Sequence, residues 1–311
     1  MADSINRRRV MAGALAGAGI LAAGASPRFA ARAATGPIAS QSLGPSLTLF
    51  QGAGCNVVLA GGDAGTVMVD SGLAERAEDL SHAVQAQTGA AAPDILFNTS
   101  WRPDHTGGND LFAAKGAQIV AHENTRLWMG TEFYVQWEDR TYPPRPAAAQ
   151  PDRTFYTKDD MRLGDETVAY GHLAEAHTDG DIYVQFRKAN VVAAGDALWA
   201  GRYPVMDYST GGWLGGLAAA SETLLEISDD RTLFVPGAGP VLRRAHVQRQ
   251  YDMASTLRDR MIAGMREGKS ARDMLDDGVS AEFDAEWGDP TTFIIDAYRG
   301  LWGHFRDLGV S

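Results

Sequence analysis

Four residues on three segments carry side chains able to hold a divalent metal ion. They are Asp104 and His105 in "PDHTGG", His177 in "HTDGD" and Asp196 in "AGDALW". Imidazole nitrogen and carboxylate oxygen are donors that Zn²⁺, Mn²⁺ or Fe²⁺ accept. Each group follows a short apolar run, as does "PGAGP" at Pro236–Pro240, and α/β folds place their sites at such strand ends. Singly, a His or Asp there usually only satisfies a local hydrogen bond, so the set matters only if it converges. A held metal would lower the pKa of a bound water and polarise a carbonyl or phosphoryl oxygen. Ser100 with His177 and an aspartate is a second constellation, a nucleophilic triad. No G-x-S-x-G elbow supports it, and no phosphate-cradling G-x-x-x-x-G-K-[ST] is present.

The elements that must position these residues alternate between strand and helix. "NVVLAGGDAGTVMVDSG" reads as a hairpin, with runs Val57–Ala60 and Thr66–Asp70 about a Gly-Gly-Asp turn. "LAERAEDLSHAVQAQTG" has helical spacing and a closing glycine. "DILFNTS", "DIYVQFRKANVVAAGDALW" and "TLFVPGAGPV" read as buried strands ending in polar loops, and charged helical patterns dominate from Arg243 onward. "ATGPIASQSLGPS" reads as a linker, with residues 35–55 taken as linker and first strand before a domain spanning 56–311. Residues 130–155 are rich in aromatics and prolines without a period. So long a loop suggests a substrate-side lid, an oligomer contact or plain packing. The alternation predicts a layered α/β domain, with no break after residue 56.

With 311 residues and a formal charge of −11, the chain can bury a large core, and the charge argues against nucleic acid or an anionic membrane surface as partner. A single cysteine, Cys55, excludes an internal disulfide and a cysteine-rich zinc site. Residues 1–34 join Arg7-Arg8-Arg9 to an apolar Ala/Gly run and an A-x-A at Ala31–Ala33. This is the layout of a twin-arginine signal peptide, and predicts a periplasmic protein with no membrane association after cleavage. The segment carries five Arg and one Asp, so its removal takes the formal charge from −11 to −15.

Together, "TSWRPDHTGGN", "HTDGDIYVQF", "VVAAGDALWAGRYP" and "FVPGAGPV" resemble the metallo-β-lactamase-fold hydrolases, from Asn56 to Val241. "FDAEWG" resembles the helical tail of exported, sulfur-oxidation-type members. The resemblance implies a four-layer αββα sandwich with a C-terminal helical tail. It also implies a two-metal site built from H-x-H-x-D-H, a second-motif His, a bridging Asp and a final His. Against that pattern Ser100 and Arg102 replace the first two histidines, and Ala238 replaces the last. Asp104, His105, His177 and Asp196 remain, with Asp70 and Asp181 expected behind them. Trp101, Trp199, Tyr203, Tyr208 and Trp213 are candidates for a pocket wall or for core.

The departures set two expectations. An Arg102 guanidinium about 5 Å from a divalent ion would repel it by about 6–7 kcal/mol at an effective dielectric of 20. The same guanidinium could instead neutralise Asp104 and Asp196, since its planar fork suits carboxylates. The preferred reading is a protein without a metal cofactor, a non-catalytic or metal-independent binding member of a hydrolase lineage. It would take a small-molecule or anionic ligand in a site lined by Asp104, Arg102 and Ser100. The alternative is an ester, amide or thioester hydrolase with one Zn (or Mn or Fe) ion on Asp104, His105, His177 and Asp196, Asp104 also positioning the attacking water. His172, His82, His122, His246 and His304 read as structural.

Overall fold

The computed structural model describes residues 36–304, so the predicted signal segment, 1–34, lies outside the described residues. Two β-sheets face one another. The first runs, in spatial order, Ala39–Gly44, Leu47–Gln51, Val57–Gly62, Gly65–Val69, Ile95–Phe97, Gln118–His122 and Arg153–Phe155. Its first four strands form an antiparallel meander and its last four are parallel. The second sheet runs Lys158–Leu163, Glu166–His172, Ile182–Phe186, Val191–Gly195, Leu233–Pro236 and Leu242–Arg243.

Period-2 alternation sorts the side chains between layers. Val58, Ala60, Val67, Val69, Phe97 and Val120 face Val168, Tyr170, Val184, Phe186, Val191 and Val235 across the sheet interface. The opposite face of the first sheet, including Val57, Leu59, Met68 and Leu96, packs on Leu80 and Val84 of helix Ala77–Thr88 and on Phe112. That of the second, including Val192, Ala194 and Phe234, packs on Ala220 and Leu224 of helix Leu214–Glu226. This is the expected αββα order. Beyond it, helices Arg244–Arg266, Ala271–Asp276, Asp284–Trp287 and Thr291–Gly303 form a core with Trp287, Met253 and Leu257.

Two segments differ from their sequence reading. Ala39–Gly44, within the stretch read as a linker, is an edge strand paired to Leu47–Gln51. Its residues 39–42 are exposed, so it carries no apolar alternation to reveal it. Residues 130–155 are ordered too: Phe133–Val135 and Arg140–Tyr142 form a hairpin, and Arg153–Phe155 joins the first sheet. These strands are three residues each, too short to show a period.

Candidate metal centre

The candidate residues sit on loops that leave neighbouring strands of both sheets. Val69 leads to Asp70, Phe97 to the 98–105 segment, His172 to His177, Gly195 to Asp196 and Pro236 to Gly237. Asp70 takes a left-handed conformation, φ 66°, which turns its carboxylate back over the next strand. Asp70 Oδ1 accepts from Thr99 N at 2.7 Å, and Oδ2 accepts from Thr99 Oγ1 at 2.7 Å. The same Oδ2 lies 2.7 Å from His105 Nδ1. Asp70 therefore both ties the loop and orients the imidazole, from a position behind the candidate ligands.

His105 sits on the one-turn helix Pro103–Thr106, with Pro103 at its first position. With Nδ1 donating to Asp70, its Nε2 faces Asp196 Oδ2 at 3.3 Å and Asp104 Oδ2 at 4.0 Å. His177 is fixed in the same way. Asp181 Oδ2 accepts from His177 N at 2.5 Å and from Thr178 N at 2.9 Å. His177 Nδ1 donates to Val205 O at 2.7 Å, leaving Nε2 3.8 Å from Asp196 Oδ2. Burial pushes the Asp181 carboxyl up to about 6. The structure thus brings Asp104, His105, His177 and Asp196 together, with Asp70 and Asp181 behind the two histidines. One ligand atom each from Asp104, His105 and Asp196 lies within 4.8 Å of the others.

The electrostatics of this cluster are unbalanced. Both His105 and His177 are fully buried, and neither Nε2 has a hydrogen-bond partner among the described residues. Each Nδ1 is already committed as a donor, so in the neutral ring Nε2 is a lone pair. A neutral ring at either position would turn a lone pair toward a buried carboxylate. Burial opposes charge on His105, but Asp70, then Asp196, Cys55 and Asp104, outweigh it and hold the imidazole well above its usual range. Either a proton on His105 or a metal cation relieves the repulsion. Cys55, read from sequence only as unable to form a disulfide, forms a second close group with Asp70 and His105.

Arg102 pairs with a carboxylate that the sequence reading did not consider. It forms an ion pair with Glu138, Nη2 to Oε1 at 2.5 Å, both side chains nearly inaccessible to solvent. The guanidinium carbon lies 4.8 Å from the Trp101 ring centre, 5.3 Å from Trp137 and 5.8 Å from Tyr142. Burial opposes the charge, but Tyr142, Glu138, Asp104 and Asp207 outweigh it and raise the guanidinium above its usual range. Nothing in the sequence chooses Glu138 over Glu132 or Asp139 in the same segment. A charged residue in the 98–105 loop only implies that some carboxylate must reach it. With Glu138 beside it, Arg102 presents an ion pair rather than a bare charge, so the repulsion expected against a metal is largely cancelled.

Ser100 is buried, and its Oγ accepts from Arg102 N at 3.4 Å. Trp101 donates to Thr210 Oγ1 and packs on Phe133 and Tyr142. Trp199 donates to Asp196 O at 2.6 Å, its ring 6.5 Å from that of His177. Tyr203 and Trp213 turn the other way: Tyr203 stacks on Phe293 and Trp213 on His304, so both belong to the helical layer. Tyr208 accepts from Arg299 of that layer at 3.1 Å. The segment 203–213 leaves the Asp196 loop but is drawn to the C-terminal helices, which sequence order alone does not show. His172 stacks on His122, centroids 3.7 Å apart, away from the candidate ligands.

The fold and the donor cluster define a hydrolase-type αββα sandwich with its candidate site at the strand ends. Residues 51–255 match the metallo-beta-lactamase superfamily model, and the chain belongs to that superfamily. A hydroxyacylglutathione hydrolase from Erythrobacter litoralis (strain HTCC2594) is 27% identical over 106 residues, 34% of this chain and 34% of that protein. The match thus spans about a third of that relative's length. A metallo-beta-lactamase from Pontibacter korlensis superposes with a TM-score of 0.56 at 16% identity, covering 70% of this chain and 99% of that one. The sec-alkylsulfatase Pisa1 from Pseudomonas sp. gives 0.64 at 13% identity, covering 84% of this chain and 50% of that one. At these identities the two structures share the fold.

Proposed function

We propose that this chain is an exported hydrolase that holds one divalent metal ion on Asp104, His105, His177 and Asp196. One observation carries the reading. The Nε2 atoms of His105 and His177 are buried beside Asp196 with no hydrogen-bond partner among the described residues, while both Nδ1 atoms are fixed as donors. Two nitrogens and two carboxylates suit Zn²⁺, Mn²⁺ or Fe²⁺. A bound ion would lower the pKa of a water and polarise the scissile carbonyl or ester oxygen. The protein's own residues do the rest in this reading. Asp70 and the Val205 carbonyl fix the two rings, Asp181 fixes the backbone of His177, and the Asp104 carboxylate takes the proton of the attacking water. The name of the Erythrobacter relative puts thioesters first among the esters, amides and thioesters to be tested. The Arg-Arg-rich, Ala/Gly-rich start of the chain supports twin-arginine export to the periplasm.

A second reading has its own support. Asp70 and Asp196 flank His105 and favour a proton on it; an imidazolium there would balance the carboxylates, and the protein would be a metal-independent binding member of the family. One experiment separates the two. Protein loaded with zinc, manganese or iron and then dialysed is assayed for metal, and for turnover of chromogenic esters, thioesters and lactams with and without chelator. The hydrolase reading expects about one equivalent of metal and turnover that chelator and Asp196→Ala both abolish. No retained metal and no turnover would leave the binding protein.

A further inference from the structure

We propose that Arg102 is the seat for an anionic group of the substrate, and that Glu138 is a stand-in carboxylate which the substrate displaces. The inference rests on the hydrolase reading for its reaction. Its substrates are then esters, thioesters or amides bearing a carboxylate, sulfate or phosphate a few bonds from the scissile one.

Arg102 lies two positions before Asp104, at the start of the turn that carries both Asp104 and His105. Its guanidinium is framed by Trp101, Trp137 and Tyr142. Planar faces around an arginine keep the fork oriented while adding no competing acceptor. The Glu138 carboxylate meets two donors, Arg102 Nη2 and Tyr142 Oη, each at 2.5 Å. An arginine with a phenol hydroxyl beside it is a donor set that binds a free carboxylate or sulfate equally well.

The carboxylate comes from the turn of a hairpin whose strands are anchored by Val135 and Tyr142, packed with Trp101 and Met129. Glu138 is on the turn of the hairpin Phe133–Val135/Arg140–Tyr142, whose strands, among the described residues, pair only with each other. Polar contacts hold that turn to the neighbouring loop: Gln136 N to Ser209 Oγ at 3.0 Å, and Trp137 Nε1 to Asp207 Oδ1 at 2.8 Å. The tip residues Tyr134, Gln136 and Asp139 are exposed. Exchanging Glu138 for a substrate anion leaves no buried charge unpaired: Arg102 keeps an anionic partner, and the Glu138 side chain rotates out into water while Trp101 and Tyr142, packed together, stay beside Arg102. Glu138 therefore lowers the apparent affinity for any anion by the fraction of time it occupies Arg102.

The test uses binding rather than turnover, on the chelator-treated full-length protein, so that it does not depend on a metal. Phenylacetate, with neutral phenylacetamide as its control, is titrated while the tryptophan emission of Trp101 and Trp137 is followed and affinity is measured by calorimetry. Glu138→Gln, which keeps the shape but not the charge, is expected to bind phenylacetate about tenfold or more tighter than the natural protein. Phenylacetamide affinity should not change, and Arg102→Met in the Glu138→Gln background should erase the gain. Glu138→Asp should fall between, and it supplies the answer if Glu138→Gln does not fold. Equal phenylacetate affinity in the natural protein and the folded Glu138 variant, or an equal gain for phenylacetamide, overturns the proposal. Because no metal is present, a positive result stands even if chelator proves to have no effect on turnover.

Discussion

Arg102 and Glu138 form a buried ion pair that joins the loop of candidate metal ligands to a hairpin thirty-odd residues downstream. The pair changes what Arg102 can do. A bare guanidinium would repel a divalent cation or bind the site's own aspartates, whereas one compensated by Glu138 leaves those aspartates to other partners. Replacing only one member of a buried pair leaves an uncompensated charge, at a cost of about 3–5 kcal/mol. Arg102→Met is therefore expected to lower stability by about that amount, and Arg102→Met/Glu138→Gln to recover most of it. Urea unfolding of the natural protein, both single variants and the double variant measures this coupling. Additive losses would show that the two side chains do not depend on one another.

Metal affinity should depend on a residue that touches no metal. Asp70 fixes the donor nitrogen of His105, and partners of this kind typically contribute 10- to 100-fold to affinity. Asp70→Asn keeps an acceptor for Thr99 N and tolerates the left-handed backbone at φ 66°. It removes the charge that holds the His105 proton on Nδ1. Zinc affinity measured by competition with a chelating dye should fall about 10- to 100-fold, with little change in the far-UV circular dichroism. Unchanged affinity would remove His105 from the ligand set.

The site was legible where a residue type follows directly from its strand end. Asp104, His105, His177 and Asp196 could be named because each closes an apolar run within a motif of the family the chain resembles, and the αββα order followed from that resemblance, the runs themselves giving only a layered α/β domain. Their partners were harder to read. Glu138 lies in a hairpin of three-residue strands, too short for any period, and its link to Arg102 exists only in three dimensions. Tyr203 and Trp213 follow Asp196 closely in sequence, yet the C-terminal helical core claims them through Phe293 and His304. The edge strand Ala39–Gly44 was hidden for a simpler reason: residues exposed on both faces carry no alternation.

Gly237 is the point where the second sheet presses on the site. A Cβ there would lie 2.0 Å from Asp196 Oδ1 and 3.1 Å from Asp196 N. The backbone cannot retreat readily, because Gly237 N donates to Gly195 O at 2.6 Å and Gly237 O accepts from Asn56 N at 2.8 Å. Gly237→Ala should push the Asp196 carboxylate aside. Overpacking of this kind costs about 1–3 kcal/mol. The larger expected effect is a metal affinity reduced about tenfold or more, by analogy with other losses of ligand positioning. Calorimetric zinc titration of a variant that still unfolds cooperatively checks it, and full affinity in that variant would mean Asp196 is not a ligand.

The stacked rings of His122 and His172 give the fold an acid-labile joint. His122 ends a strand of the first sheet and His172 a strand of the second. His122 Nδ1 accepts from Asn124 N at 3.2 Å, capping the helix Glu123–Gly130, and Nε2 donates to Tyr156 O at 3.1 Å. Burial and the neighbouring His172 push His122 down to about 4. A base depressed in the folded state contributes stability above its unfolded value of about 6.5, and this is lost as pH falls toward 4. The loss should be about 1–2 kcal/mol, since a proton on Nδ1 also breaks the cap. Asp179 and Asp181, each pushed up to about 6 by burial, act in the opposite sense, gaining stability as pH falls through that range. Their contribution cancels when the natural protein is compared with His122→Asn, in which asparagine keeps a capping acceptor but cannot titrate. Urea midpoints at pH 7.5 and pH 5 should therefore converge between the two proteins as pH is lowered. A constant gap would show that His122 holds the same proton in the folded and unfolded chains.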